Sequence, residues 1–126
     1  FKLSLQKGQT LVVEAAAGSI GSNLQPVIAL RDRRGFEVAT SAALRRPDAF
    51  FTFTAPESGE YLLSLRDLSY RGGGDFWYRM TVGAVPWVTS VFPPGGAPGA
   101  AALLRYRGVN LPADPSATLA LPGPAD

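Results

Sequence analysis

The sequence predicts an all-β protein, a jelly-roll-like antiparallel β-sandwich of about seven strands followed by a partial immunoglobulin-like module. Three observations carry this prediction. Apolar residues recur at period two along most of the chain, as in strands with one face buried. Gly (14) and Pro (11) among 126 residues punctuate many turns without reaching a low-complexity composition. No helical stretch separates the strand-like runs, which removes βαβ units and leaves antiparallel pairing.

The elements follow in order. Phe1, Leu3 and Leu5 alternate with Lys2, Ser4 and Gln6, a half-buried strand. Lys7-Gly8-Gln9 then turns into a second strand over residues 10–16 with Leu11 and Val13 inward, so the two are expected to form a hairpin. Residues 17–23 are a loop. Pro26 starts the next strand, since Val27 to Leu30 is a short apolar run and Pro is tolerated at a strand's first position. Asp32-Arg33-Arg34-Gly35 is a turn, residues 36–40 return, and residues 41–48 form an irregular polar connection. Phe51 and Phe53 alternate with Thr52 and Thr54. After the break at Ala55-Pro56-Glu57-Ser58-Gly59, Tyr61, Leu63 and Leu65 mark a further strand. A loop with Gly72-Gly73-Gly74 leads to the last strand, residues 76–82. The predicted core is Phe1 or Leu3, Leu11, Val13, Ile28 or Leu30, Phe51, Phe53, Tyr61, Leu63, Leu65 and one parity of residues 76–82.

Near residue 84 the texture changes. Ala84-Val85-Pro86 reads as a connection between a module over residues 1–84 and a second over residues 85–126. The second has short strands at 87–92, 101–107 and 117–121, separated by Pro- and Gly-rich turns. Three short strands are too few for an independent sandwich. Either the rest is cut away, or they lean on the first module or on another copy of the chain.

Composition excludes much chemistry. With no His and no Cys, the usual general base, the thiolate nucleophile, disulfides and His- or Cys-based metal sites are all gone. A net charge of +2, with the charges spread along the chain, makes no basic field for nucleic acid. No apolar run reaches the roughly 20 residues of a membrane span. No signal peptide or initiating Met is seen, so the chain reads as cut or processed.

Gly8-Gln9-Thr10 before an apolar strand, Gly18 to Ser22 before Leu24-Gln25-Pro26, Ala29-Leu30-Arg31-Asp32 and Gly35 form an ordered set. Phe53-Thr54-Ala55-Pro56, Ser58-Gly59-Glu60-Tyr61, Asp67-Leu68-Ser69-Tyr70 and Tyr78-Arg79-Met80 continue it. Residues 1–84 thereby resemble the bacterial pre-peptidase C-terminal domain. Residues 88–96, followed by Gly108-Val109-Asn110-Leu111, are similar to the opening of an immunoglobulin-like IPT/TIG domain. The resemblance implies a β-sandwich accessory module beside exported enzymes, secreted or at the cell surface, as in exported proteins of planctomycete-type bacteria. Similar modules in collagenases bind collagen and calcium. Here Ser41-Ala42-Ala43 stands where the family often carries an acidic turn, so no calcium site and no cofactor is expected; calcium wants six to eight oxygen ligands.

The candidate site residues gather around the glycine loop. Asp67 and Asp75 flank it at the ends of two strands expected to pair, which makes them weak metal candidates. The competing reading is that each caps a turn or pairs with Arg66, Arg71 or Arg79. Tyr70, Arg71 and Trp77 are the candidate ligand-binding residues. Alternation sends Trp77 to the face opposite Phe76 and Tyr78, where it is either a stacking anchor or a ring covering the second module. Ser4-x-x-Lys7 matches a serine acyl-enzyme pattern but lacks the helix that pattern needs.

Three functions remain open. The leading one is a non-catalytic accessory module of an exported protein, acting in domain spacing, adhesion or protein interaction, with neighbouring domains as partners. The second is a binding domain for polysaccharide or collagen-like peptide using an exposed aromatic platform. The third is a hydrolase in which Asp67, Asp75 and Glu60 converge in a cleft.

Overall fold

The computed structural model describes residues 1–123, and its regular structure there is strands plus one 3-10 turn at Gly18–Ile20. The chain divides into two compact units, Phe1–Ala84 and a second beginning at Val85.

The first unit is a sandwich of two antiparallel sheets. One has the order β1 (Lys2–Leu5), β6 (Gly59–Asp67), β3 (Pro26–Asp32), β4 (Glu37–Ala42); the other is β5 (Ala49–Thr54), β2 (Thr10–Ala16), β7 (Arg79–Gly83). Alternation along each strand aims one set of side chains between the sheets. Leu30 faces Leu63 and Ile28 faces Leu65 in the first sheet. In the second, Val13 sits opposite Phe51 and Val82, and Leu11 opposite Phe53. The buried cluster is Leu5, Leu11, Val13, Ala15, Ile28, Leu30, Ala49, Phe51, Ala55, Tyr61 and Leu63, with Leu3, Phe53, Leu65, Met80 and Val82 packed at its margin. The Phe53 and Tyr61 rings meet edge to face at a centroid distance of 5.4 Å, a favoured aromatic geometry.

Four expectations need correction. The strands over residues 2–5 and 10–16 are not a hairpin: β1 pairs with β6, and β2 with β5 and β7. The turn between them crosses from one sheet to the other, beside the equivalent crossing from β5 to β6. Its backbone bonds go there, with the Gly8 amide donating to Ala55 O (2.8 Å) and the Ala55 amide to Gln9 O (3.0 Å). Secondly, of the alternatives Phe1 and Leu3 the core takes Leu3; Phe1 shares its parity but precedes β1 and is 61% exposed. Thirdly, Ser41 and Ala42 belong to β4 rather than to a polar connection, and Ser41 Oγ accepts the Phe50 amide at the start of β5 (3.1 Å). Finally, Phe76, Trp77 and Tyr78 precede β7 instead of opening it. Periodicity also underestimated burial: Val12, Val27 and Ala29 face away from the inter-sheet cluster and are nevertheless buried.

The second unit is an antiparallel meander, β8 (Trp87–Phe92), β9 (Ala101–Val109), β10 (Ser116–Ala120), with β9 central. A register shift lies between Val88 and Ser90. Opposite it, a Cβ on Gly108 would collide with the Trp87 carbonyl, so this strand crossing requires glycine. No described residue of the unit falls in the buried class.

Candidate functional site

The loops at the end of β6 form the most elaborate polar construction of the first unit. β6 terminates at Asp67, whose side chain is fully enclosed. Its Oδ1 accepts the Gln25 amide (3.0 Å) and Arg71 Nη2 (3.3 Å). Its Oδ2 accepts the Ser69 amide (2.9 Å), the Arg71 amide (3.1 Å) and Arg71 Nε (3.0 Å). The Arg71 guanidinium first, then the Gln25 amide, outweigh burial and hold this carboxyl far below the usual carboxylate range. A carboxylate with five donors around it has no lone pair left for a metal ion.

Arg71 extends the brace. Nη2 also donates to Asn23 O (3.4 Å) and Gln25 Oε1 (3.3 Å), and the guanidinium lies 5.2 Å from the Phe76 ring centroid. The side chain thus ties the β6–β7 loop to the β2–β3 loop, a structural use of a residue that the sequence marks as ligand-binding. Ser22 makes the second tie: its buried hydroxyl accepts the Leu24 amide (3.1 Å) and the Trp77 amide (3.0 Å) and donates to Asp75 O (3.5 Å). Asp48 makes a third, from the β4–β5 loop, through the Ala17 (2.8 Å) and Ser19 (3.2 Å) amides. Burial pushes the Asp48 carboxyl up, but the Ser19 side chain, those amides and the charge of Arg79 together lower it.

On this braced base stand the aromatic side chains. Tyr70 occupies the left-handed region (φ 55) and is 77% exposed, with the Arg66 guanidinium 4.5 Å from its ring centroid. Trp77 and Tyr78 are 44% and 43% exposed. Neither lies in the β7 ladder, and the Trp77 amide is bonded to Ser22 Oγ; both rings reach solvent while Phe76 is half-buried beside Arg71.

Asp67 and Asp75 do not end paired strands, since β6 and β7 lie in different sheets. Asp75 takes part through its carbonyl, which accepts the Asn23 amide (3.0 Å), while its side chain is exposed. Glu60 does not join them: it sits at the opposite end of β6, seven residues from Asp67, or about 23 Å at strand rise. Among the described residues there is no group of three or more His, Cys, Asp or Glu positioned to share a metal ion. Ser4 pairs opposite Glu60 on β1 and Lys7 lies in the following turn, so the Ser-x-x-Lys pattern assembles no site. At Glu60's end of the unit, Arg33, Arg34, Glu57 and Glu60 line a cavity of about 170 Å³, and Lys2, Arg31 and Glu60 line a shallow one of about 310 Å³, at or below the lower end of ordinary ligand pockets.

Sequence reasoning missed Ser22, Asn23 and Gln25. Only Ser22 carries a local signal, the hydroxyl-to-amide turn with Leu24 two residues on; the others act through the fold. No protein family, curated protein or solved structure matches the chain.

Proposed function

We propose that the first unit is a non-catalytic attachment module of an exported or cell-surface bacterial protein, whose working surface is the β6–β7 loop. One observation carries this reading. A loop with three consecutive glycines, which has no strand partner, is held by the enclosed Asp67 and by Ser22, while three aromatic side chains project from it. A loop backbone braced before contact loses little conformational freedom on binding, and the large faces of its rings give much contact area. The ionised carboxylate of Asp67 is spent on this bracing, and His and Cys are absent from the sequence, so the arrangement favours binding over bond-breaking. Export and the role beside other domains are supported by the resemblance of residues 1–84 to pre-peptidase C-terminal domains. No helix among the described residues is long and apolar enough to cross a membrane.

The test is retention of the chain on a panel of extracellular polysaccharides and collagen-like peptides, with a variant lacking all three exposed rings (Tyr70→Asn, Trp77→Ser, Tyr78→Ser) beside it. Retention of the native chain on some member of the panel and its loss in the variant are expected. Equal retention of the two would overturn the reading, as would no retention on any member.

A further inference from the structure

The ligand class follows from what the same surface has free and what it has already used, an inference that rests on the attachment reading. We propose that the β6–β7 loop binds a neutral polysaccharide, with a sugar ring stacked on the outer face of Tyr70 and its hydroxyls bonded to Asp75 and Asn23.

Several of the loop's backbone donors are used internally. The Tyr70 amide donates to Asp67 O, the Phe76 amide to Gly73 O, the Arg71 amide to Asp67 Oδ2 and the Trp77 amide to Ser22 Oγ. The cations are engaged as well. Arg71 is neutralised by Asp67, and Arg66 donates through Nη1 to Asp67 O (3.2 Å) and Leu68 O (3.3 Å) while covering one face of the Tyr70 ring. Within the loop the four charged groups, Asp75 included, balance, so the loop itself offers no net attraction to an acidic chain.

What remains free is one face of Tyr70, the exposed parts of Trp77 and Tyr78, and two short polar side chains. Asp75 and Asn23 are exposed and linked through the Asn23 amide and Asp75 O. A carboxylate accepts from hydroxyls, and an amide both donates to and accepts from them. The apolar C–H face of a pyranose suits an aromatic ring, and its equatorial hydroxyls suit this pair.

The experiment passes the full chain over insoluble neutral glycans (cellulose, chitin, a β-1,3-glucan), acidic glycans (alginate, polygalacturonate) and collagen-like peptide, at low salt and at about 0.5 M NaCl, where exposed charges are screened. The expected result is retention on a neutral glycan that salt leaves unchanged. Tyr70→Asn, a residue that tolerates the left-handed region, should weaken that retention about tenfold, and Asp75→Ala should weaken it measurably, both with an unchanged unfolding midpoint. Retention confined to acidic glycans and abolished by salt, or confined to collagen-like peptide, would overturn the neutral-glycan assignment and leave the attachment reading standing. Retention on a neutral glycan that neither Tyr70→Asn nor Asp75→Ala alters would overturn the assigned surface. Absence of retention on every matrix would remove both.

Discussion

Asp67 shows how one side chain organises a loop surface. Its carboxyl is lowered in the folded state, chiefly by Arg71. A group of this kind contributes stability that is fully present above its unfolded value, about 3.9, and is lost as pH falls below that toward the folded value. The native unit is therefore expected to hold constant stability near neutrality and to lose it on acidification below about pH 4. In Asp67→Asn the acid limb should flatten, leaving the smaller contribution of Asp48, whose carboxyl is also lowered. Chemical denaturation at a series of pH values checks this; equal acid slopes in the two proteins would refute it. Ser22→Ala is a sharper probe, because it strips the Leu24 and Trp77 amides of their acceptor. Leaving such donors unpaired costs about 1–3 kcal/mol, and hydrogen exchange should rise first at Trp77. At this scale the sequence showed that Tyr70 lies beside a loop rich in glycine, while it placed Trp77 in the strand that follows. Turn capping or pairing with Arg71 was open to Asp67 from the sequence, since four of its five bonds come from Ser69 and Arg71 close by in the chain; what the sequence did not show is the fifth, from the Gln25 amide 42 residues away.

Among the elements, β6 carries the most. It is a central strand of its sheet, with β1 on one side and β3 on the other, and Leu63 at its middle is fully buried opposite Leu30. Leu63→Ala should cost about 2–5 kcal/mol by lost transfer energy and cavity formation. Phe1→Ala, at an exposed ring, should stay within about 0.5 kcal/mol. Comparing the two midpoints tests which residue of the predicted set belongs to the core, and a large loss for Phe1→Ala would contradict the arrangement. Strand existence was legible from period-two alternation, and most strand positions agree with it. Pairing was not. The turn Lys7-Gly8-Gln9 reads locally as a hairpin, yet the adjacent crossing at Ala55 takes its hydrogen bonds, and no local pattern distinguishes a turn within a sheet from one between sheets.

For the molecule as a whole, the two units differ in what they bury. The first encloses a continuous cluster between its sheets; the described part of the second encloses nothing fully. A chain ending at Ala84 keeps Gly83 opposite Val12, the last pairing of β7, and should unfold cooperatively with the stability of the native unit. Residues 85–126 alone should show no cooperative transition, since three strands with one open face are marginal in water. Thermal unfolding of the two pieces followed by circular dichroism decides both points. A chain ending at Ala84 that fails to fold would show that the sandwich needs the second unit.

The sequence by itself determined the all-β class, the strand-rich first module, the inward parity of β2, β3, β5 and β6, and the absence of His and Cys chemistry. These are consequences of side-chain period and of composition, both of which are local. Tertiary structure alone decided that β1 and β2 part into different sheets, that residues 76–78 leave the ladder, that Gln25 meets Asp67 and Arg71, and that Ser22 meets Trp77. Such outcomes depend on which distant backbone group satisfies a donor or an enclosed charge, and that partner is chosen only when the two sheets close on each other.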